Sequence, residues 1–184
     1  MSKYTLIVPI AADTDKMGTE MPYLFGLDSN GLMYCVKSIM GLPLEAFSDI
    51  YFTILHKHNL RYKLLEMMQI QFERLGIAHK THVYELWEST SSQPETLYHT
   101  VVGNHITGAV LFKDGDSYFT TEVYPENMLY IFPLDGLQVV NPQNKSYVTI
   151  DEQYYITNII EKKIVSRFFC AGGYSIEDVQ DFVD

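Results

Sequence analysis

An apolar run that ends abruptly in charged residues constrains the fold of this chain more than any other stretch. Residues 108–119 read Gly-Ala-Val-Leu-Phe-Lys-Asp-Gly-Asp-Ser-Tyr-Phe. Four consecutive apolar residues bounded by glycine are typical of a strand that is covered on both faces, as in a parallel sheet. Ligands of open α/β sheets bind at the carboxyl ends of such strands. The stretch therefore predicts a ligand cleft beside Asp114 and Asp116.

The two aspartates admit two interpretations. On an extended chain Asp114 and Asp116 point the same way, with their Cα atoms roughly 6–7 Å apart. Carboxylates at that spacing can share one Mg²⁺ or Mn²⁺, with nucleotide phosphates completing the coordination. Asp-Gly is also a common turn signal between two strands, and the turn is the commoner meaning of these residues alone.

Composition narrows the class of protein. A chain of 184 residues with 47% hydrophobic and 14% aromatic residues is expected to form one packed domain. The formal net charge is −10 and no Lys/Arg cluster is present, which argues against nucleic acid as a partner. No apolar run approaches the roughly 20 residues of a membrane span, and the start does not look like a signal peptide. Cys35 and Cys170 are expected to be reduced core thiols of a cytoplasmic protein.

The first half alternates strand and helix patterns, which predicts a parallel α/β sheet. Strands are expected at 4–10, 50–55 and within 77–86, with a helix-period stretch around Leu32, Val36 and Ile39. The clearest helix is expected over 59–75, capped by Asn59 and ended by Gly76.

Two further segments of the first half are of interest for function. The polar loop 11–20 follows the first strand, where α/β proteins bind nucleotides, although an ordinary surface loop would look the same. Ser92-x-x-Glu95 has capping-box spacing and predicts a helix from Gln93 to Val102.

The second half changes to short strands, expected at 128–134, 146–150, 155–161 and 168–174. A last helix is expected to start at Ser175-x-x-Asp178. The chain is interpreted as a single domain, 1–184, with a nucleotide-binding half (1–116) and a β-rich acceptor half (117–184).

Histidine pairs offer a metal alternative. His56-x-His58 on one strand face and His79-x-x-His82 in a turn place imidazoles close in sequence, but no Cys/His spacing of a structural zinc site accompanies them. A serine hydrolase is excluded because the chain has no Gly-x-Ser-x-Gly elbow.

Several motifs together resemble a known family. In chain order they are a strand and loop, Pro-x-Leu, Gln-x-x-Thr before a helix, a strand ending in Lys-Asp-x-Asp, Asn-Lys-Ser-Tyr, Asn-Ile-Ile-Glu-Lys-Lys at 158–163, and Phe-Cys-Ala-Gly-Gly-Tyr at 169–174. This series resembles the nucleotidyltransferase-like domains of the sugar-phosphate nucleotidylyltransferase superfamily, and its capsule and surface-polysaccharide branch in particular. The resemblance covers nearly the whole chain and is most specific at 113–119 and 158–174.

The resemblance implies a fold and a reaction. The fold is α/β, a Rossmann-like glycosyltransferase-A-type three-layer domain with a mixed, mainly parallel central sheet. The reaction joins a nucleoside triphosphate to a sugar phosphate or similar small phosphorylated acceptor, releases pyrophosphate and uses Mg²⁺ or Mn²⁺. Whether the protein forms a homo-oligomer is left open.

The resemblance also assigns roles to residues. The metal would be held by Asp114 and Asp116, and the catalytic residues would be Asp114 and Lys162. The nucleotide would be bound by Ala11, Ala12, Lys16, Gln93, Thr96 and Lys113. The acceptor would be bound by Glu161, Lys162, Gly172 and Gly173. Adjacent strand residues point to opposite faces, so Lys162 is expected in the cleft and Lys163 in solvent.

The chain departs from the family pattern in its first loop. Ala11-Ala12-Asp13 stands where the family has glycines, Lys16 is the nearby cation, and Tyr23 stands where a lysine is expected. The chain also ends before the segment that supplies another metal-binding aspartate in the family. Two alternatives therefore stay open: a catalytically degenerate nucleotide-, sugar- or partner-binding protein of the same fold, and a metal-dependent glycosyltransferase. In each case the 108–112 strand, residues 10–13 and the start of the Gln93 helix are expected to border one cleft.

Overall fold

The computed structural model describes residues 4–12, 21–136 and 144–184. The chain divides into two compact units, one formed by Met1–Asn127 with Ser175–Asp184 and the other by Met128–Tyr174. The β-rich half was expected from residue 117, whereas the second unit starts at Met128.

A parallel sheet forms the centre of the first unit. Its strands are β1 (Tyr4–Pro9), β2 (Asp49–Leu55), β3 (Thr81–Leu86) and β4 (Ala109–Lys113). All neighbouring pairs are parallel, in the order β3-β2-β1-β4. Every residue of β4 is buried, as its unbroken apolar run predicts. The predicted parallel sheet is confirmed.

Helices cover both faces of this sheet. The helices are α1 (Tyr34–Lys37), α2 (His56–Tyr62), α3 (Leu64–Arg74), α4 (Gln93–Gly103) and α5 (Gln180–Val183). Phe52 of β2 stacks on Phe72 of α3, with ring centroids 5.4 Å apart. The next residue, Thr53, meets Thr100 of α4, their hydroxyl oxygens 2.6 Å apart. Because successive strand residues face opposite sides, α3 and α4 lie on opposite faces. The expected three-layer α/β architecture is confirmed.

Antiparallel strands form the second unit. They are β5 (Met128–Pro133), β6 (Ser146–Ile150), β7 (Ile156–Glu161) and β8 (Phe168–Ile176). β6 pairs with both β7 and β8, and β5 pairs with β8. All four predicted strands are confirmed, and the chain combines parallel and antiparallel pairing. No helix within the described ranges has the length and apolar character needed to cross a bilayer.

The single helix predicted over 59–75 is wrong, because the chain breaks at Lys63. Lys63 is left-handed (φ 56°, ψ 42°) and separates α2 from α3. Asn59 does act as a cap, but for the second helix, since its Oδ1 accepts the N–H of Leu65 at 3.0 Å. The predicted end is confirmed: Gly76 has φ 71° and the N–H of Ile77 donates to the Phe72 carbonyl, as in a Schellman motif.

Two other helix predictions also need correction. The stretch around Val36 forms only the four residues of α1. Ser175 does not start the last helix; it belongs to β8, where its buried hydroxyl donates to the Tyr124 carbonyl at 2.8 Å and lies 3.0 Å from the Tyr4 hydroxyl. The last helix, α5, begins at Gln180.

A turn centred on Asp28 gives the first unit a defined response to acid. The Asp28 carboxylate accepts a hydrogen bond from Lys37 Nζ at 2.9 Å and two from the N–H groups of Leu32 and Asn30. These hydrogen bonds lower the pKa of Asp28 to about 2, and the bond from Lys37 has the largest effect. As pH falls, the unfolded chain takes up this proton before the folded one does. The stabilisation is therefore complete above about pH 4 and is lost as pH falls toward 2.

We expect Asp28→Asn to lower the free energy of unfolding at pH 6, and the difference from wild type to shrink between pH 4 and pH 2. Urea denaturation at a series of pH values measures this difference. Lys37→Met keeps the two N–H donors and should give an intermediate pH dependence. A difference that stays constant across this pH range would contradict the assignment.

Candidate functional site

Three segments that were predicted to border a ligand site line one cleft of the first unit. It has a volume of about 590 Å³, within the usual range for small-molecule sites. It is lined by Pro9, Ile10, Ala11, Ala12, Leu24, Ser89, Thr90, Ser91, Ser92, Gln93, Thr96, Asp114, Gly115 and Asp116. The end of β4, residues 10–12 and the start of α4 thus border one cleft, as predicted. Asp13 and Lys16 lie outside the described residues.

The start of α4 is held by the predicted capping box. The Ser92 side chain accepts the N–H of Glu95 at 3.3 Å. In return, the Glu95 carboxylate accepts the N–H and the hydroxyl of Ser91, both at 2.6 Å. These hydrogen bonds lower the pKa of Glu95, and the bond from the Ser91 hydroxyl has the largest effect. The cap fixes the 91–93 segment at the edge of the cleft.

Gln93 connects α4 to the end of β4. Its Nε2 donates to Asp114 Oδ1 at 2.6 Å. Thr96, one turn later, is buried with its hydroxyl oxygen 2.5 Å from that of Thr90. The structure therefore brings Gln93, Thr96 and Asp114 together, while their roles toward a nucleotide remain predictions.

The chain is not extended between the two aspartates, because it turns at Gly115 and Asp116. The two carboxylates consequently engage different partners. Asp114 accepts from Gln93, whereas Asp116 accepts a hydrogen bond from Tyr23. Both still line the cleft. A turn is therefore present, although no strand follows it directly, and it forms part of the cleft wall; metal binding by the two aspartates remains a prediction.

Tyr23 is a site residue that the sequence showed only as a departure from the family pattern. Burial raises the pKa of Tyr23 to about 12, and the Asp116 charge and hydrogen bond act in the same direction. The phenol is therefore neutral at physiological pH and donates to Asp116. Where a lysine was expected to bring positive charge, the chain has a neutral donor that holds a carboxylate.

Lys113, predicted to bind the nucleotide, is engaged within the protein itself, and its role toward a nucleotide remains a prediction. Its side chain is fully buried, and its Nζ donates to the Asp114 carbonyl (2.8 Å), the Ser117 carbonyl (2.5 Å) and the Ser117 hydroxyl (2.7 Å). The ammonium also lies 4.6 Å from the Phe119 ring centroid. Lys113 therefore stabilises the 114–117 turn from within the core.

The predicted acceptor residues belong to the second unit. Lys162 lies in a turn after β7, with φ 60°, and its Nζ is 3.1 Å from Glu161 Oε1. The assumption that Lys162 and Lys163 are neighbours on a strand is therefore wrong. Gly172 (φ 84°) and Gly173 are buried in β8. The acceptor roles of Glu161, Lys162 and the two glycines remain predictions.

The histidine alternative for a metal is not supported. His56 and His58 lie in α2, not on a strand; His56 contacts Glu85 and Trp87, and His58 packs against Phe25. In residues 4–12, 21–136 and 144–184, no three His, Cys, Asp or Glu side chains are grouped as metal ligands. Asp114 and Asp116 nevertheless fit Mg²⁺, which is typically held by one or two carboxylates together with substrate phosphates.

Comparison with known proteins identifies the fold. No family model and no curated protein matches the sequence. A nucleoside-diphosphate-sugar pyrophosphorylase from Vibrio cholerae RC9 matches with a TM-score of 0.74 at 17% identity, over 97% of this chain and 75% of that chain. An inositol-1-phosphate CTP transferase from T. maritima matches with a TM-score of 0.65 at 13% identity, over 94% and 70%.

A UDP-glucose pyrophosphorylase, solved with UDP-glucose, also matches, with a TM-score of 0.65 at 12% identity, over 96% of this chain and 76% of that chain. This chain has the nucleotidyltransferase fold. At such low identity the likeness shows the fold alone, so the activity must be argued from the cleft.

The contact between Gly115 and Ile10 can be tested by a double-mutant cycle. A Cβ at position 115 would lie 2.5 Å from Ile10 Cγ2. Gly115→Ala should therefore cost about 1–3 kcal/mol of stability by overpacking, and Ile10→Ala about 2–5 kcal/mol by leaving a cavity. The double variant should cost clearly less than the sum, because Ile10→Ala removes the clashing atom.

Urea denaturation of the four proteins measures this coupling. Val8→Ala with Gly115→Ala is the matched control, since Val8 Cγ1 would lie at an ordinary 3.5 Å and the two costs should be nearly additive. Additive costs for Ile10 and Gly115 would show that the turn and the loop do not meet as described.

Lys113→Met tests the buried ammonium. Methionine keeps an unbranched side chain, one atom shorter, but leaves the Asp114 and Ser117 carbonyls without this donor, so we expect a loss of about 3 kcal/mol or more. Lys163→Met, at an exposed position, should change stability by less than about 0.5 kcal/mol. Equal stability of the two variants in urea would contradict the role assigned to Lys113.

Proposed function

We propose that this protein is a nucleotidylyltransferase that binds a nucleoside triphosphate in the cleft of the first unit. The observation that carries the proposal is the position of the cleft in the sheet. β1 continues to β2 and β3 on one side and pairs with β4 on the other, so the strand order reverses between β1 and β4. Ligands of open α/β sheets bind at this switch point, beyond the carboxyl ends of the strands. Ala11 follows one of these strands and Asp114 follows the other.

The proposed reaction transfers a nucleotidyl group. A phosphate oxygen of the acceptor attacks the α-phosphorus, and a new P–O bond forms. The bond from the α-phosphorus to the bridging oxygen of the β-phosphate breaks, and pyrophosphate leaves with its electron pair. When bound, Mg²⁺ or Mn²⁺ supplies positive charge against the phosphate oxygens.

The residues of the cleft have separate tasks in this proposal. Asp114 and Asp116 would hold the cation, and Gln93 and Tyr23 would orient their carboxylates through the bonds described above. The backbone at Ala11 and Ala12 would lie beside the nucleotide. Lys113 contributes indirectly, because it fixes the turn that carries both aspartates.

For the acceptor, the resemblance to the family supports a sugar phosphate or similar small phosphorylated molecule. Glu161, Lys162, Gly172 and Gly173 of the second unit would bind it. The same resemblance supports a role in surface-polysaccharide synthesis, and the reduced thiols of Cys35 and Cys170 support a cytoplasmic location.

A second candidate is a protein of this fold that binds a nucleotide or sugar without turnover. The side chain of Ala11 is buried against Leu55 and Leu86, where the family has glycine. A Cβ at this position restricts how closely phosphates approach the backbone. Tyr23 also supplies no positive charge. These two observations favour binding without catalysis.

Calorimetric titration of ATP, GTP, CTP, UTP and dTTP tests the proposed site. We expect at least one to bind with Mg²⁺ and to lose affinity in chelator, because the acidic cleft repels a bare triphosphate. Asp114→Asn and Asp116→Asn keep an oxygen acceptor for Gln93 and Tyr23 but remove the charge, so each should weaken binding by about tenfold or more. Asp151→Asn, in a turn of the second unit, is the matched control.

Pyrophosphate release with a panel of sugar 1-phosphates then separates catalysis from binding. Release supports the transferase, whereas metal-dependent binding without release supports the second candidate. Equal affinity with Mg²⁺ and with chelator would show that the aspartates form only a turn.

A further inference from the structure

The only tryptophan of the chain is exposed but held in place. Trp87 directly follows β3, and 78% of its surface is exposed. Its ring nevertheless stacks on the His56 imidazole, with centroids 3.9 Å apart and planes inclined by 30°. A large aromatic side chain that is fixed on one side and open to solvent elsewhere is suited to stacking on a ligand.

The imidazole behind Trp87 is anchored in turn. His56 Nδ1 lies 2.7 Å from Glu85 Oε2, and Asn59 Nδ2 donates to the same oxygen at 3.2 Å. His56 is the first residue of α2, and Glu85 lies within β3. Two elements of the first unit thus fix His56. The Trp87–His56 pair is called the platform below.

The platform adjoins the cleft. Ala11, which lines the cleft, packs with Leu55 and Leu86 in one buried cluster. His56 and Trp87 are the residues that immediately follow Leu55 and Leu86. Ser89, two residues beyond Trp87, lines the cleft itself. The platform therefore continues the Ala11 side of the cleft, away from Asp114.

The length and charge of this surface favour one class of ligand. In the order β3-β2-β1-β4 the ends of β3 and β4 are three strand spacings apart, about 14 Å. A single sugar ring is much shorter than this, whereas a nucleotide extends from phosphates to base over such a distance. Glu85 and Glu88 flank Trp87, so its neighbourhood disfavours phosphate and favours an uncharged planar ring.

We propose that Trp87, supported by His56, is a stacking platform for the base of a nucleotide whose phosphates lie at Asp114 and Asp116, an inference that rests on the proposed function. Stacking on an indole tolerates every base, because each base presents a flat aromatic face. The platform therefore contributes affinity without selecting among bases.

Fluorescence reports on this platform directly, since Trp87 is the only tryptophan. Adenosine, guanosine, cytidine and uridine, which carry no phosphate, should quench its emission saturably. N-acetyltryptophanamide in the same solutions corrects for absorption by the nucleosides. Tripolyphosphate with Mg²⁺ should bind the cleft, by calorimetry, with little effect on the emission.

Variants separate the platform from the phosphate site. Trp87→Ala should weaken Mg²⁺-nucleotide binding about 5- to 150-fold, the range measured for loss of one stacked base, and Trp87→Phe should retain most of the affinity. Binding of Mg²⁺-tripolyphosphate should be the same in all three proteins. Leu60→Ala, which truncates another exposed apolar residue in α2, is the matched control and should bind nucleotides as wild type does.

The outcomes distinguish the two proposals. Nucleotide binding that depends on Mg²⁺ but is unchanged in Trp87→Ala would overturn the platform and leave the proposed function standing. Quenching by nucleosides and by nucleotides, without any binding of Mg²⁺-tripolyphosphate and with no dependence on Mg²⁺, would support stacking on the platform and overturn the triphosphate site of the proposed function. Quenching by glucose or galactose but by no nucleoside would overturn the base assignment in favour of a sugar.

Discussion

The buried ammonium of Lys113 determines how β4 ends, and the cleft depends on that ending. A charge with no exposed surface is tolerated only when its donors are satisfied. Lys113 meets this requirement by drawing the carbonyls of Asp114 and Ser117 toward one nitrogen. The chain must therefore turn at Gly115 and Asp116. The side chains of Asp114 and Asp116 consequently leave the turn toward different partners, Gln93 and Tyr23.

The same turn also packs closely against the residue that follows β1, Ile10. Gly115 is buried against Ile10, and even a methyl group there would collide with the Ile10 side chain. Asp-Gly-Asp was interpreted either as a turn or as a metal site, but the two are compatible. The glycine allows the turn to approach the loop after β1, and this approach places both carboxylates in the cleft wall.

Local sequence patterns predicted most helices and strands. They did not predict features that depend on burial or on hydrogen bonds between residues distant in the sequence. Strand runs and the Ser92–Glu95 cap are encoded within a few residues, and both are confirmed. The break at Lys63 was missed because the hydrophobic periodicity continues across it. The hydrogen bond from the Leu65 N–H to the Asn59 side chain stabilises the break, and a periodicity pattern does not reveal such a bond. Lys113 was assigned to the nucleotide by the family resemblance, and the sequence alone does not show that its side chain is buried. Trp87 was not singled out, although a sole tryptophan after a predicted strand was a usable signal.

The charge of the cleft explains why its two ends would act differently on a nucleotide. The described residues that line the cleft include two aspartates and no lysine or arginine. The nearby ammonium of Lys113 already donates hydrogen bonds to backbone carbonyls. Phosphates at this end would therefore need a cation that arrives with them, which makes their binding sensitive to chelator and salt. Stacking on Trp87 involves no net charge and would not share that sensitivity. A nucleotide would thus lose its phosphate contacts in chelator but keep its contact with the platform, so the two ends of the site can be measured separately.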